Sequence, residues 1–177
     1  MPAPKLTTDR LHLRAFVSED AGSVRTLAGN LEVADTTLRI PHPYPDGAAE
    51  AWIAGLKAPS AGGTGATFAI TLKANGELVG TISLMSIEAG HQAELGYWIG
   101  VPYWGQGFCT EAGQAVVDYA FTELGLVRLH ASHFSRNPAS GRVLEKLGFR
   151  HEGTRRGHVR KWGKLEDLEI YGLVRDA

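Results

Sequence analysis

Two glycine-bearing segments, set one helix and one strand apart, constrain this chain more than anything else in it. In the first, Tyr103-Trp-Gly-Gln-Gly-Phe-Cys-Thr-Glu-Ala112, glycines and a hydroxyl fall where an apolar strand passes into a helix. Such a junction gathers unpaired backbone N–H groups and the positive end of a helix dipole around one point, a geometry that suits an anion. The second, Asn137-Pro-Ala-Ser-Gly-Arg-Val-Leu-Glu-Lys-Leu-Gly-Phe149, opens the next helix with Asn and Ser. In that order the two describe a diphosphate cradle followed by a device that handles what the phosphates carry.

The rest of the chain is compatible with one domain spanning residues 1–177. An apolar fraction of 44% and a charged fraction of 21% are globular values. A formal net charge of -1 gives no support to wholesale binding of nucleic acid or acidic membranes. The single cysteine, Cys109, leaves no internal disulfide to form. No apolar run approaches the roughly 18 residues of a membrane span, and the N-terminus carries no apolar signal core. The cytoplasm is the expected compartment.

Periodicity sets out the elements. Leu11 and Leu13 alternate with His12 and Arg14 in a first strand near Arg10–Ala15, and Ser18 is the expected cap of a helix burying Ala21, Val24, Leu27 and Ala28. Three prolines between Ile40 and Pro45 exclude helix interior there. Asp46 is the expected cap of a second helix with Ala49, Trp52, Ile53 and Leu56 inward, and a glycine-rich link covers Gly62–Gly65. Strands follow at Thr67–Leu72 and Leu78–Leu84, joined by the hairpin signal Asn75-Gly76, and at Ala93–Ile99. A helix over about Thr110–Leu124, a strand over Val127–His133, and a short helix from Ser140 stopped by Gly148 come next. Strands near Arg150–Arg155 and Leu168–Val174 close the chain. The expected class is α/β, with a mixed, mostly antiparallel central sheet flanked by helices.

Three ligand readings compete for Trp104–Thr110. A dinucleotide fingerprint needs a third glycine where Thr110 stands, and it belongs in an early βαβ unit rather than after a hairpin. A Walker loop needs Gly-Lys-Ser/Thr, which is absent. A turn that merely joins strand to helix stays open on these residues alone. Seven histidines show no metal-ligand spacing, since His130 and His133 fall on opposite faces of one strand. No metal is expected. The basic run Arg155, Arg156, Arg160, Lys161 and Lys164 is offset in sequence by Glu166, Asp167 and Glu169, so a solvated hairpin is expected and RNA contact is the lesser reading.

The paired segments resemble the GCN5-related N-acetyltransferase (GNAT) superfamily, and within it the ribosomal-protein-alanine N-acetyltransferase branch. The superfamily's loop, Gln/Arg-x-x-Gly-x-Gly/Ala, falls on Trp104–Cys109, with Trp104 and Cys109 departing from it, and Thr110-Glu111-Ala112 continues the match. Asn137-x-x-Ser140 with Glu145-Lys146-x-Gly148-Phe149 matches the downstream motif without a gap. Thr8-Asp9-Arg10-Leu11-x-Leu13-Arg14 and Glu94-Leu95-Gly96-Tyr97-Trp98-Ile99 also look like this branch. The resemblance implies a GNAT-like fold and acetyl-CoA as co-substrate. It places the cofactor against Trp98, Ile99, Val101, Gln106, Gly107, Phe108, Cys109, Thr110, Asn137, Ser140 and Lys146.

It also implies direct transfer of acetyl to a primary amine, on a peptide N-terminus or a small molecule. Glu94 is the candidate base; on residues alone it could equally pair with a basic neighbour, and by alternation it shares a face with Gly96, bare enough for a pantetheine arm. Ser140 takes the place of the branch's proton donor to the leaving thiolate, or else only caps its helix. A second glutamate assigned as base in the branch falls on Val159 here, which moves weight to Glu94. The Cys109 backbone, rather than its sulfur, is expected to face phosphate. Tyr44 and Trp52 are the candidate acceptor-side residues. A homodimer is compatible with the family, and a non-catalytic acyl-CoA-binding module is the alternative function.

Overall fold

The computed structural model describes residues 3–57 and 65–176. Eight strands form one sheet in the order β1-β2-β3-β4-β5-β6-β8-β7: β1 (Leu6–Thr7), β2 (Leu11–Arg14), β3 (Ala66–Leu72), β4 (Leu78–Glu88), β5 (Gln92–Ile99), β6 (Arg128–Phe134), β7 (Arg150–Lys161) and β8 (Lys164–Val174). Every neighbouring pair is antiparallel except β5 and β6. On one face lie α4 (Phe108–Thr122) and α5 (Pro138–Lys146); on the other lie α1 (Ala21–Ala28), the short α2 (Leu31–Asp35) and α3 (Ala48–Lys57). The mixed sheet and its flanking helices are the expected class.

The alternation of β5 builds both faces. Ala93, Leu95 and Ile99 join the larger core with Ala112, Val116 and Leu144 of α4 and α5. Trp98, of opposite parity, packs into the smaller core with Phe16, Val24 and Ile53. Burying each large side chain of this kind contributes about 1.5–3 kcal/mol. The Asn75-Gly76 hairpin forms as expected, with Gly76 at φ 78° and the Asn75 carboxamide accepting from the Glu77 N–H at 3.0 Å.

Several boundaries differ from the sequence expectation. Ser18 does not cap α1: it begins a single 3₁₀ turn, and Asp20 holds that junction, accepting from the Val17 N–H at 2.9 Å and from both ends of the Arg14 guanidinium at 2.8 and 2.9 Å. Leu56 lies outward, 38% exposed. The helix after the glycine loop starts at Phe108, because Gly107 at φ 79° already turns the chain into it. The last two strands run on to Lys161 and Lys164, since bulges in β7 break the alternation that would have marked them. Of the glycine-rich link, residues 62–64 lie outside the described residues.

Glycines separate by what surrounds them. A Cβ on Gly80 would stand 2.3 Å from the Trp98 carbonyl oxygen, which the sheet itself holds, whereas one on Gly22, near the start of α1, meets nothing within 4 Å. Gly80→Ala is expected to cost about 1–3 kcal/mol and lower the melting temperature; Gly22→Ala is expected to raise it, by about 0.5–1 kcal/mol of helix propensity. Calorimetric melting of the two variants checks the opposed signs.

Candidate active site

The parallel strands at the centre of the sheet stay together only briefly. β5 and β6 pair at Gln92↔Arg128, Ala93↔Leu129 and Glu94↔His130, and then part. Gly100, just past β5, donates its N–H to the Val79 carbonyl at 2.8 Å. Antiparallel alternation therefore turns the backbone of Trp98 toward β4 and that of Tyr97 and Ile99 into the gap. The Ile99 carbonyl accepts there from the Trp104 indole N–H at 2.6 Å. Trp104, one of the two residues that depart from the family loop, thus closes the end of the gap.

At that end the glycine loop forms an open cradle. Gly105 and Gly107 take φ 71° and 79°, conformations that favour glycine. The first helical hydrogen bond runs from the Glu111 N–H to the Gly107 carbonyl. Among the described residues, the N–H groups of Gln106, Gly107, Phe108, Cys109 and Thr110 meet no acceptor, so five donors stand at the positive end of the fifteen-residue α4. Arg10 braces the loop from β2's approach. Its guanidinium donates to the Gln106 carbonyl at 2.9 Å and to Glu111 Oε2 at 2.7 Å, and it lies 4.5 Å from the Phe108 ring centroid. Burial acts to raise the Glu111 pKa, but the Thr8 hydroxyl and the Arg10 N–H and guanidinium outweigh it and hold it below the ordinary carboxylate value. That contribution to stability is present above the ordinary carboxylate range and fades as pH falls through the lowered value.

The Cys109 sulfur faces inward. Burial pushes its pKa up to about 12, so the thiol is neither a thiolate nor a nucleophile at neutral pH, despite the helix N-terminus. Across the gap, Ser140 sits in the first turn of α5 without capping it. The Tyr97 phenol donates to the Ser140 carbonyl at 3.0 Å and lies 2.9 Å from Ser140 Oγ. With its own hydrogen committed to the carbonyl, Tyr97 accepts the serine proton. Burial first, then the neighbouring Cys109 thiol, raise the phenol's pKa above its ordinary range, while the Ser140 bond acts the other way. Tyr97 therefore remains a neutral phenol. Asn137 occupies the cap position of α5, and its side chain has no hydrogen-bond partner among the described residues.

Glu94 lies on the opposite face of the gap. It shares parity with Trp98, hence the α1/α3 side, and no cation pairs with it among the described residues. Gly96 does not leave that face bare, however: a Cβ there would meet Met85 Cε at 2.7 Å, so a methionine covers the backbone where a pantetheine arm was expected. Of the remaining candidates, the Trp98 ring belongs to the smaller core, and Val101 is half-buried in the turn after β5. Gln106 is exposed and donates its amide to the Pro102 carbonyl at 3.2 Å. Lys146 is exposed in the last turn of α5, two turns from Ser140. Trp52 packs edge-on against Phe16 at 4.9 Å, and Tyr44 is half-buried beside Gly29. Both serve the smaller core. No group of three or more metal-ligating side chains converges among the described residues, and His133 is buried with Nδ1 against the Phe134 carbonyl.

A family model for the acetyltransferase (GNAT) domain matches residues 10–150. The chain belongs to the GNAT acetyltransferases. It is 34% identical to the uncharacterized N-acetyltransferase YoaA of Bacillus subtilis over 173 residues, covering 97% of each chain. It is 27% identical over 180 residues to the [ribosomal protein uS5]-alanine N-acetyltransferase of Escherichia coli, covering 98% of this chain and 92% of that one. In fold it matches a GNAT-family acetyltransferase from Bacillus anthracis with a TM-score of 0.85 at 24% identity, over 97% of this chain and 98% of that one. This GNAT chain is therefore an enzyme that uses acetyl-CoA, and the loop of five free N–H groups fits the diphosphate of that co-substrate.

Two residues of this GNAT site, Tyr97 and Arg10, escaped the sequence. Tyr97 and Ser140 stand 43 positions apart, and Arg10 meets Gln106 across 96; neither contact has a local signature. The Arg10 brace makes a prediction. Arg10→Ala should raise the CoA dissociation constant about tenfold, or about 1.4 kcal/mol, while the melting temperature moves little; titration calorimetry and thermal melting measure the two. An unchanged affinity would show that the loop needs no brace.

Proposed function

We propose that this acetyltransferase moves the acetyl group of acetyl-CoA directly to a primary amine, on a protein N-terminus or a small molecule, in the cytoplasm. The observation that carries the proposal is the parting of β5 from β6 immediately after Glu94, with an unpaired carboxylate on one face of the gap and the Tyr97–Ser140 pair on the other. The diphosphate lies on the N–H groups of 106–110, and the pantetheine follows the backbone of Tyr97 and Ile99 through the gap. The thioester then lies between Ser140 and Glu94. The relationship to a uS5-alanine acetyltransferase favours a peptide N-terminus as acceptor.

Each group answers one demand of the reaction. An α-amine has an unperturbed pKa near 7.7–8.0, so at neutral pH most of it is protonated and cannot attack. Glu94, facing the acceptor side, takes that proton directly or through water. General acid–base help of this kind is typically worth 10²–10⁴-fold, about 3–5 kcal/mol of barrier. As the C–S bond breaks, the Ser140 hydroxyl turns from Tyr97 to the sulfur and hydrogen-bonds the nascent thiolate. Tyr97 keeps its proton throughout, because its pKa lies above the ordinary phenol value. Its part is to hold Ser140 in place through the hydrogen bond it donates to the Ser140 carbonyl.

Glu94→Gln should lower kcat/KM by about 10²-fold or more while CoA affinity is retained. Ser140→Ala and Tyr97→Phe should each lower kcat, and Tyr97→Phe should add little once Ser140 is alanine, because the two act as one unit. Free-thiol release with a panel of amines, measured for the single and double variants, provides the numbers. Full activity in Glu94→Gln would remove the base from the mechanism, and additive losses at 97 and 140 would separate the pair.

A further inference from the structure

The β7–β8 hairpin outgrows the sheet. β6 ends its pairing with β8 at Phe134↔Leu168, but β7 and β8 continue together to Lys161↔Lys164. Because β5 and β6 are parallel and part beyond Glu94 and His130, this overhang stands at the same end of the sheet as the open gap. It leans to the acceptor face: Lys161 donates to the Ile40 carbonyl at 2.7 Å, and Arg136 ties Asp35 and Glu166 together at 2.9 Å each. The arm and the segment after α2 thus make one rim, on the side of the sheet that Glu94 faces.

That rim is strongly cationic. Residues 155–164 hold five Lys and Arg and no carboxylate, within a chain whose net charge is -1. The acidic residues that offset them in sequence are occupied within the fold. Glu166 is paired with Arg136, Asp167 accepts the Gly157 N–H at 2.6 Å, and Glu169 accepts from Ser135, Thr154 and His151, which with burial opposing hold its pKa at about 2. Among the described residues no carboxylate meets Arg39, Arg155, Arg156, Arg160 or Lys164, and all five are exposed. At the tip, Trp162 adopts φ 48° with 49% of its surface exposed, and the Lys161 ammonium sits 4.5 Å from its ring centroid. Trp162 and Gly163, at φ 48° and 80°, are the two central residues of the tight turn between Lys161 and Lys164, and that turn presents the indole to solvent.

We propose that this rim docks the acceptor polypeptide, and that the acceptor carries acidic residues close behind its N-terminal amine. The inference rests on the peptide-amine reading of the site. Charge complementarity selects the partner: unpaired cations beside a gap that admits an amine favour an anionic chain, raise its rate of encounter and turn away basic ones. A nucleic acid is disfavoured, because single-strand platforms stack successive bases on several aromatics. Among the described residues this arm offers one indole, Trp162, with Lys161 against it, and one imidazole, His158, within 3.4 Å of Arg155, rather than a row of rings. The acidic residues lie along β7 toward Arg156 and Arg160, while Trp162 covers the peptide backbone at the mouth.

The test compares peptides that share an N-terminal alanine and differ only in residues two to six: acidic, neutral or lysine-bearing. In acetyl transfer at low salt, kcat/KM for the acidic peptide should exceed that of the neutral one by about tenfold or more, and the gap should close as salt screens it. The charge-reversed variant Arg156→Glu/Lys164→Glu should lose this preference, with CoA affinity by calorimetry reporting that it is folded. Anisotropy of a labelled acidic peptide gives an independent reading that needs no turnover. Binding to the wild type and not to the variant supports the rim even if no amine in the panel is acetylated, an outcome that would sink only the transfer reaction. Equal kcat/KM and equal binding for acidic and lysine-bearing peptides would overturn the proposal. So would displacement of the peptide by a short RNA that binds more tightly.

Discussion

Everything in this molecule is arranged around two neighbouring strands that stop being neighbours. β5 and β6 share three register positions and then separate, in the middle of an otherwise continuous eight-stranded sheet. The backbone of Tyr97 and Ile99 is thereby left without a partner strand. Backbone groups without a partner strand can pair with an extended ligand laid along the gap. One end of the opening is closed by Trp104 on the Ile99 carbonyl, and the far wall is α5. An extended, amide-bearing chain is what such a slot accepts, and the pantetheine arm of CoA is one.

The same separation distributes the chemistry. Because β5 alternates, one face of it meets α4 and α5 while the other meets α1 and α3. The phosphate loop and Ser140 therefore belong to one side of the sheet and Glu94 to the other, and the gap is the passage between them. In the proposed reaction the two substrates approach from opposite faces and meet in that gap. Family membership makes the chain an acetyltransferase; the parting of the strands is what the proposed direct transfer rests on. Cys109, the one thiol, is held protonated by burial and takes no part in it.

What was legible in the sequence was local. The Asn75-Gly76 turn, the Gly105/Gly107 junction and the Gly148 stop each express a φ requirement that a few residues encode by themselves, and each formed as expected. Glu94, Asn137 and Ser140 were placed on the right elements because period-two alternation and helix starts are also short-range signals. The misses were all long-range or masked by irregularity. Asp20, not Ser18, secures the start of α1 because Arg14, on a strand, supplies its partner. Met85 fills the space over Gly96 from the adjacent strand. Tyr97 resembled any aromatic strand residue until the fold brought it to Ser140. The hairpin's charge balance failed for the same reason: counting acids and bases along β7 and β8 cancels them, whereas the fold occupies the acids and leaves every base of the run but Lys161 in solvent.

In the proposed function the backbone N–H groups at residues 106–110 clasp the diphosphate of acetyl-CoA, and that grip sets where its acyl end lies. Amide chemical shifts measured while CoA, and separately pantetheine without the diphosphate, are titrated into the protein test this most directly. CoA should move the amides of Gln106, Gly107, Phe108, Cys109 and Thr110 most, together with those of Tyr97 and Ile99. Pantetheine should move only the latter two. Loop amides that stay in place while CoA binds would contradict it.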